Sequence, residues 1–486
     1  MRLGLDCARA DSDVVYRPRT NQNAGSPGSR MKLRASLLSV AIVVGILPFT
    51  VMCSFARRAN ADEKYGDFER QVVLAMLKET EKDVQNHYYD ATFHGVDMSA
   101  RFRAAEANIQ VVHSYREAIG QIEWVLQGLN DSHTVFIPPP QPFDIDYGFE
   151  FEFYGNNCYV THVRPGTDAE TVGLRAGDKI VAIDGEKLAK PQFLGLLFSL
   201  RVIAPRTKLS LALVRTDGAQ QELTINPKVH WFSVRTDTSG TQHDAFNINW
   251  YLRRLEDVRT YEESQAAEVG DVMIWKLPNF TFPEKEAEAR LRQARKSRAL
   301  ILDLRGNEGG TTKNLEWLIG ATFNHDVKAW DRVSRGTTES EVVRTHGENA
   351  FTGALFVLVD SKSRSAAEIY ARVVQLGKRG MVMGDQTAGR AMEANLYPHD
   401  TTPAEIGRFP VNPYVVKVSV AELIMEDGKT LEHVGVTPDL LVLPTPADLA
   451  ADKDPVLGAA ISLAGQQVDP LAAGKLFRFK WPPMSN

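Results

Sequence analysis

From Asp271 onward, apolar runs of strand length alternate with segments of helical period. "DVMIWKLP" is followed by "EKEAEARLRQARK", "ALILDLR" by "KNLEWLIGATF", and "ALFVLVD" by "AAEIYARVVQL", before "RGMVMGD" closes the series. Strands separated by a helix cannot pair as tight hairpins, and the crossover sets them side by side and parallel. The alternation therefore predicts an α/β layered domain with a largely parallel sheet. In such domains ligands bind at the carboxyl ends of the strands. A chain of 486 residues exceeds one ordinary core, so further domains are expected.

Upstream the pattern is different. "FERQVVLAMLKETEKDVQNHYY" places Val72, Val73, Met76 and Leu77 on one helical stripe, and "SYREAIGQIEWVLQGL" does the same with Ile119, Ile122, Val125 and Leu126. Pro138-Pro139-Pro140 cannot continue a helix and reads as a linker. Short β-like runs follow, broken by Asn-Asn, Pro-Gly and Asp-Gly turns at the spacing of a small barrel. From about Thr445 the chain is rich in Ala and Pro without a strong period. The expected plan is an α+β multidomain protein: a leader over 1–61, a helical segment over 62–140, a small β-barrel over 141–232, the α/β layered core over 233–446 and a C-terminal tail over 447–486.

Composition narrows the function classes. Apolar residues make up 43% and charged residues 24%, as in soluble globular proteins, and the net charge of −5 lacks the basic bias of a nucleic-acid binder. Cys7, Cys53 and Cys158 lie far apart without metal-ligand spacing, which argues against a disulfide framework or a zinc site. No metal or organic cofactor is implied. Near the N-terminus, "MKLRASLLSVAIVVGILPFTVMCSFARRANADEK" has Lys32 and Arg34 before an uncharged run that ends at Arg57. Ala59-Asn60-Ala61 suits signal peptidase, so Met31 opens a secretory leader. Left uncleaved, residues 35–56 would anchor the chain in a membrane. Either reading predicts export, to the periplasm or the cell exterior, with membrane contact only if the leader is retained. Oligomeric state is not legible.

Four stretches carry candidate chemistry. In "LILDLRGNEGGT" a strand ends in a turn whose glycines let the backbone approach a ligand and present N–H donors. In "VLVDSKSRSAAEIYARVV" Ser365 stands where strand becomes helix, three residues before Glu368. That spacing is a capping box, and the place also suits a nucleophile. "GLNDSHTVF" puts Ser132 and His133 in a polar turn, and "EDGKTLEHVGVTPDLLV" carries Glu432. Each stretch alone also fits a purely structural role.

As an ordered set they resemble the tail-specific or C-terminal processing proteases, with their tricorn-like and retinoid-binding relatives. "ILDLRGNEGG", "SRSAAEI", "GDQTAGR", "LEHVGVTPDLLV" and "GLNDSHT" are similar to that family's motifs, over roughly residues 65–445. The barrel region resembles a PDZ domain, with "YGFEF" as its carboxylate loop and "VGLRAGDKIVAIDG" as its most recognisable run. The resemblance implies a serine peptidase with Ser365 as nucleophile. It implies oxyanion donors from Gly309 or Gly310 and Ala366, and a PDZ loop (Tyr147, Gly148, Phe149) that takes the C-terminus of a peptide or protein substrate. One position departs from the processing proteases: their catalytic lysine is replaced by Arg390. An arginine keeps its proton and cannot serve as the base. The tricorn-like branch uses a histidine, a serine before it and a glutamate. His133 and Ser132 supply the first two, and Glu432 is the candidate for the third, with Glu426, Glu393 and Glu368 as alternatives. The rival reading is a non-catalytic relative that binds peptides or apolar ligands on the same scaffold.

Overall fold

The computed structural model describes residues 65–139, 143–203, 205–231, 264–400 and 413–481. The leader and anchor readings, Cys7 and Cys53, and the boundary at 232/233 lie outside the described residues. Among the described residues no helix is long and apolar enough to cross a membrane.

The chain folds as an α+β protein built around the expected parallel sheet. Val272–Lys276, Ala299–Asp303, Ala354–Val359 and Met381–Gly384 lie side by side and parallel, and Leu440–Leu441 extends them. Gln265–Val269 adds an antiparallel edge. Such strands are continuously apolar because both faces are covered, and Ala299–Asp303 is buried at every position. On one face the helices Glu284–Ala294, Thr312–Thr322 and Ala366–Leu376 pack through Leu291, Leu318 and Tyr370. The other face is covered by the helix Pro455–Leu463, through Val456, Leu457 and Ile461.

That last helix changes the reading of the C-terminal segment, which is structured rather than a tail. Pro446–Ala450, Pro455–Leu463 and Pro470–Gly474 are each capped by Thr or Asp with Pro in the first turn. Helices of five and nine residues are too short to show a period in sequence.

A second, antiparallel sheet was not expected. Its spine is Pro413–Met425, paired with Val135–Ile137, Met392–Asp400 and Val327–Ser334, the last of which also pairs with Thr337–Val343. The helices Asp67–His87, Met98–Val111 and Tyr115–Gln127 pack on this spine, and Val73, Ile122 and Leu126 share one core with Tyr414, Val416 and Val418. The N-terminal helical segment is therefore continuous with the core of the second sheet.

The small β region forms its own antiparallel sheet, with strands Phe149–Tyr154, Asn157–Val163, Lys179–Ile183, Leu209–Val214 and Gln220–Ile225 around Phe153, Val160, Leu211 and Ile225. It is seated on the turn that leads to Ser365. The Ser361 hydroxyl donates to the Phe153 carbonyl at 2.7 Å, and Lys362 Nζ lies 3.3 Å from Glu152 with both side chains buried. Asp385 accepts the Gly155 N–H at 2.8 Å.

Candidate active site

The strand Ala354–Val359 delivers a stiff turn. Asp360 Oδ1 accepts the backbone N–H groups of Gly306, Lys362 and Ser363 at 2.9–3.0 Å. Ser365 follows with φ 56° and ψ −122°, a conformation L-residues avoid, at the start of the helix Ala366–Leu376. Two bonds hold it there: its N–H reaches the Arg390 carbonyl at 2.7 Å and Glu368 Oε2 at 3.1 Å. Glu368 is fully buried and also accepts the Thr387 hydroxyl and the N–H groups of Gly389 and Arg390. Burial pushes its carboxyl up to about 7, against the pull of those donors.

Only one half of the expected capping box forms. The Glu368 N–H bonds to the Ser365 carbonyl at 2.9 Å, and the Ser365 hydroxyl makes no hydrogen bond among the described residues. The side-chain cap is thus a correction to the sequence reading. The half-buried hydroxyl is uncommitted.

His133 sits in a loop clamped by Asp131, whose Oδ1 accepts the N–H groups of His133 and Thr134 and the hydroxyl of Ser419. His133 Nδ1 lies 2.7 Å from Ser132 Oγ, and Ser132 Oγ lies 2.9 Å from Glu432 Oε2. Glu432 also accepts the N–H groups of Ser132 at 2.7 Å and Ala391 at 2.9 Å. The proton inventory assigns the tautomer. With Glu432 ionised, the Ser132 hydroxyl must donate to it, so His133 Nδ1–H donates to Ser132 and Nε2 keeps its lone pair. The other glutamates are engaged elsewhere or exposed: Glu393 pairs with Arg332 at 2.8 Å, Glu368 lies under Ser365, and Glu426 is on an exposed turn.

Burial drives the His133 imidazole well below its usual range, reinforced by the positive charges of Lys417, Arg364 and Arg390. Burial also raises the Glu432 carboxyl, against its backbone and hydroxyl donors. An imidazole held this low stays neutral into mild acid, so a reaction that uses it as base is expected to keep the acid limb of kcat/KM below pH 6.5. Removing a neighbouring cation favours the imidazolium. Lys417→Met should therefore move that limb to higher pH, which a pH–rate profile on a neutral peptide reads directly.

Ser365, His133, Ser132, Gly309, Gly310 and Ala366 all line one cavity of about 1450 Å³. Within it Ser365 and His133 are not hydrogen-bonded to each other, and catalytic bonds of this kind often tighten only around substrate. Gly309 is corrected as an oxyanion donor, because its N–H is held by Asn307 Oδ1 at 2.8 Å. Its role is clearance: at φ 94°, a Cβ there would come within 2.6 Å of Ser365 Cβ. The N–H groups of Gly310 and Ala366 make no hydrogen bond among the described residues and can serve an oxyanion.

The PDZ-like loop differs more from expectation. The Gly148 N–H is already bonded to Asp146 Oδ1 at 2.9 Å, and the Tyr147 hydroxyl bridges the Leu200 carbonyl and the Arg206 N–H. Phe149 is buried in the small domain's core. None of the three lines the cavity, which that domain instead faces with Glu152, Tyr154, His162 and Leu194. Sequence reasoning also missed Asp131, Asn307 and Asp360, three side chains that shape the loops. An Asp or Asn one or two residues before a turn that it bonds was their available signal.

Comparison with known proteins agrees with this architecture. Residues 271–442 match peptidase family S41, and residues 143–192 match the PDZ domain. The carboxy-terminal processing protease CtpA of Bacillus subtilis is 22% identical over 330 residues, covering 66% of this chain and 63% of that protein. A carboxyl-terminal-processing protease of Picosynechococcus sp. is 24% identical over 467 residues, covering 90% of this chain and 97% of that one. Tricorn protease homolog 1 of Streptomyces coelicolor is 23% identical over 411 residues, which are 80% of this chain and 35% of the homolog. Among solved structures, mature CPAF complexed with lactacystin shares the fold, with a TM-score of 0.58 at 14% identity over 79% of this chain and 96% of that one. The parallel-sheet core coincides with the first match and the small antiparallel domain begins with the second, so the chain is similar to peptidase family S41 through its core and to PDZ domains through its small domain.

Proposed function

We propose that the protein hydrolyses peptide bonds with Ser365 as nucleophile and His133 as general base. The supporting observation is the chain of contacts Glu432–Ser132–His133 in the wall of a cavity that also holds the uncommitted Ser365 hydroxyl. His133 Nε2 takes the hydroxyl proton as Ser365 Oγ attacks the scissile carbonyl. The same nitrogen returns that proton to the leaving amine. Glu432, acting through Ser132, keeps the ring in the productive tautomer and favours the imidazolium that forms. Gly310 and Ala366 receive the developing oxyanion.

Arg390 takes no part in proton transfer. Burial lowers its guanidinium only to about 10, so it stays charged at neutral pH. The substrates are peptides or proteins, engaged near their C-termini as the names of the processing-protease relatives suggest. The uncharged apolar run of residues 35–56 behind Lys32 and Arg34 supports export as the setting. A fluorophosphonate probe tests the nucleophile: wild type should be labelled on Ser365 and the Ser365→Ala variant should not. Absence of labelling and of hydrolysis for the wild type would make the protein a binding relative instead.

A further inference from the structure

Arg390 is a charged residue of the cavity wall that the proposed proton transfer does not use. It is half-buried and lines the same cavity as Ser365, to which its own carbonyl is bonded. Among the described residues its guanidinium makes neither a hydrogen bond nor an ion pair. The carboxylates that act on it do so from a distance and are otherwise occupied. Glu432 accepts three donors and Glu368 four, while Glu123, raised to about 7 by burial, accepts the Phe136 N–H. Arg364, the neighbouring guanidinium, is by contrast paired with Glu308 at 2.7 Å. A partly buried guanidinium with five N–H donors and no partner is costly, and its planar fork matches a carboxylate in two-point contact.

From this arrangement we propose that Arg390 is a specificity-determining residue that binds a substrate carboxylate beside the nucleophile. The inference rests on the peptidase reading of the same cavity. It narrows the substrates to peptides with a carboxylate close to the scissile bond, either the terminal α-carboxylate or an Asp or Glu side chain. The positive charge that reinforces burial in keeping His133 neutral would then be offset on binding. Substrate with a carboxylate would ease protonation of the base at the moment it is needed.

The test uses binding, so it does not depend on turnover. The full chain carrying Ser365→Ala is titrated by fluorescence anisotropy with four labelled hexapeptides. These combine a free or amidated C-terminus with Asp or Asn at the penultimate position. The same titration is repeated after adding Arg390→Gln or Arg390→Lys. Any carboxylate preference of the PDZ domain is common to all three proteins, so only the change in preference counts.

Arg390→Gln should lower the acid-to-amide ratio, or the Asp-to-Asn ratio, by about tenfold, and Arg390→Lys should restore part of it. Which ratio falls identifies the source of the carboxylate. Ratios unmoved by Arg390→Gln, equal weakening of all four peptides, or no binding of any peptide would each overturn the proposal. Failure of the peptidase reading shows separately, as wild type that the fluorophosphonate does not label.

Discussion

Ser365→Ala and His133→Ala are each expected to lower kcat/KM for peptide hydrolysis by about four to six orders of magnitude, with the fold intact. The Ser365 hydroxyl makes no hydrogen bond among the described residues, so its removal breaks no cap and should cost well under the ~1 kcal/mol typical of a capping serine. As nucleophile it has no substitute. Loss of His133 leaves that hydroxyl without a base, because Arg390 holds its proton and Glu368 bonds the Ser365 N–H rather than its oxygen. The double variant should be no slower than either single one, since the two groups act as a unit. His133→Ala should also abolish probe labelling, whereas Ser132→Ala and Glu432→Gln should slow it. A fluorogenic peptide, the probe and a thermal melt together settle the matter. Near-full activity of His133→Ala would sink the mechanism, and His433, bonded to the Asn130 carbonyl at 2.6 Å, would be the next base to test.

Glu368→Gln is expected to destabilise the protein by about 3–5 kcal/mol, although nothing in the reaction touches its side chain. Two carboxylate oxygens receive four donors, from Ser365, Thr387, Gly389 and Arg390. An amide has one accepting oxygen, and its NH2 would face N–H groups that can only donate. Two or more buried donors would be left unpaired at the point where Ser365 is held in a strained conformation. The urea midpoint should fall, and activity should fall even at temperatures where the variant is folded. An unchanged midpoint would mean that the carboxylate is not the anchor of this turn.

Much of the architecture is legible before folding. Alternating apolar and amphipathic runs after Asp271 dictate a parallel sheet, because a helix between strands allows little else. The helical stripe with Val73, Met76 and Leu77 is buried as its spacing demands. Local signals of this kind extend over one element and its neighbours.

The second sheet was invisible for the opposite reason. Val135–Ile137 pairs with Val415 to Lys417, and no local pattern names a partner so far along the chain. The same distance kept the glutamate's assignment open. Ser132 and Glu432 are 300 residues apart, so sequence named Glu432 only as a candidate, with Glu426, Glu393 and Glu368 as alternatives. Side-chain competition decided the rest. Gly309 and Gly310 are interchangeable on paper, but Asn307 takes the N–H of one and leaves the other open to the cavity. The residue types that carry the chemistry, and their order, belong to the sequence. Which donor is free, which carboxylate is engaged and which charge lacks a partner are properties of packing, because each depends on a neighbour that the fold alone brings within hydrogen-bond reach.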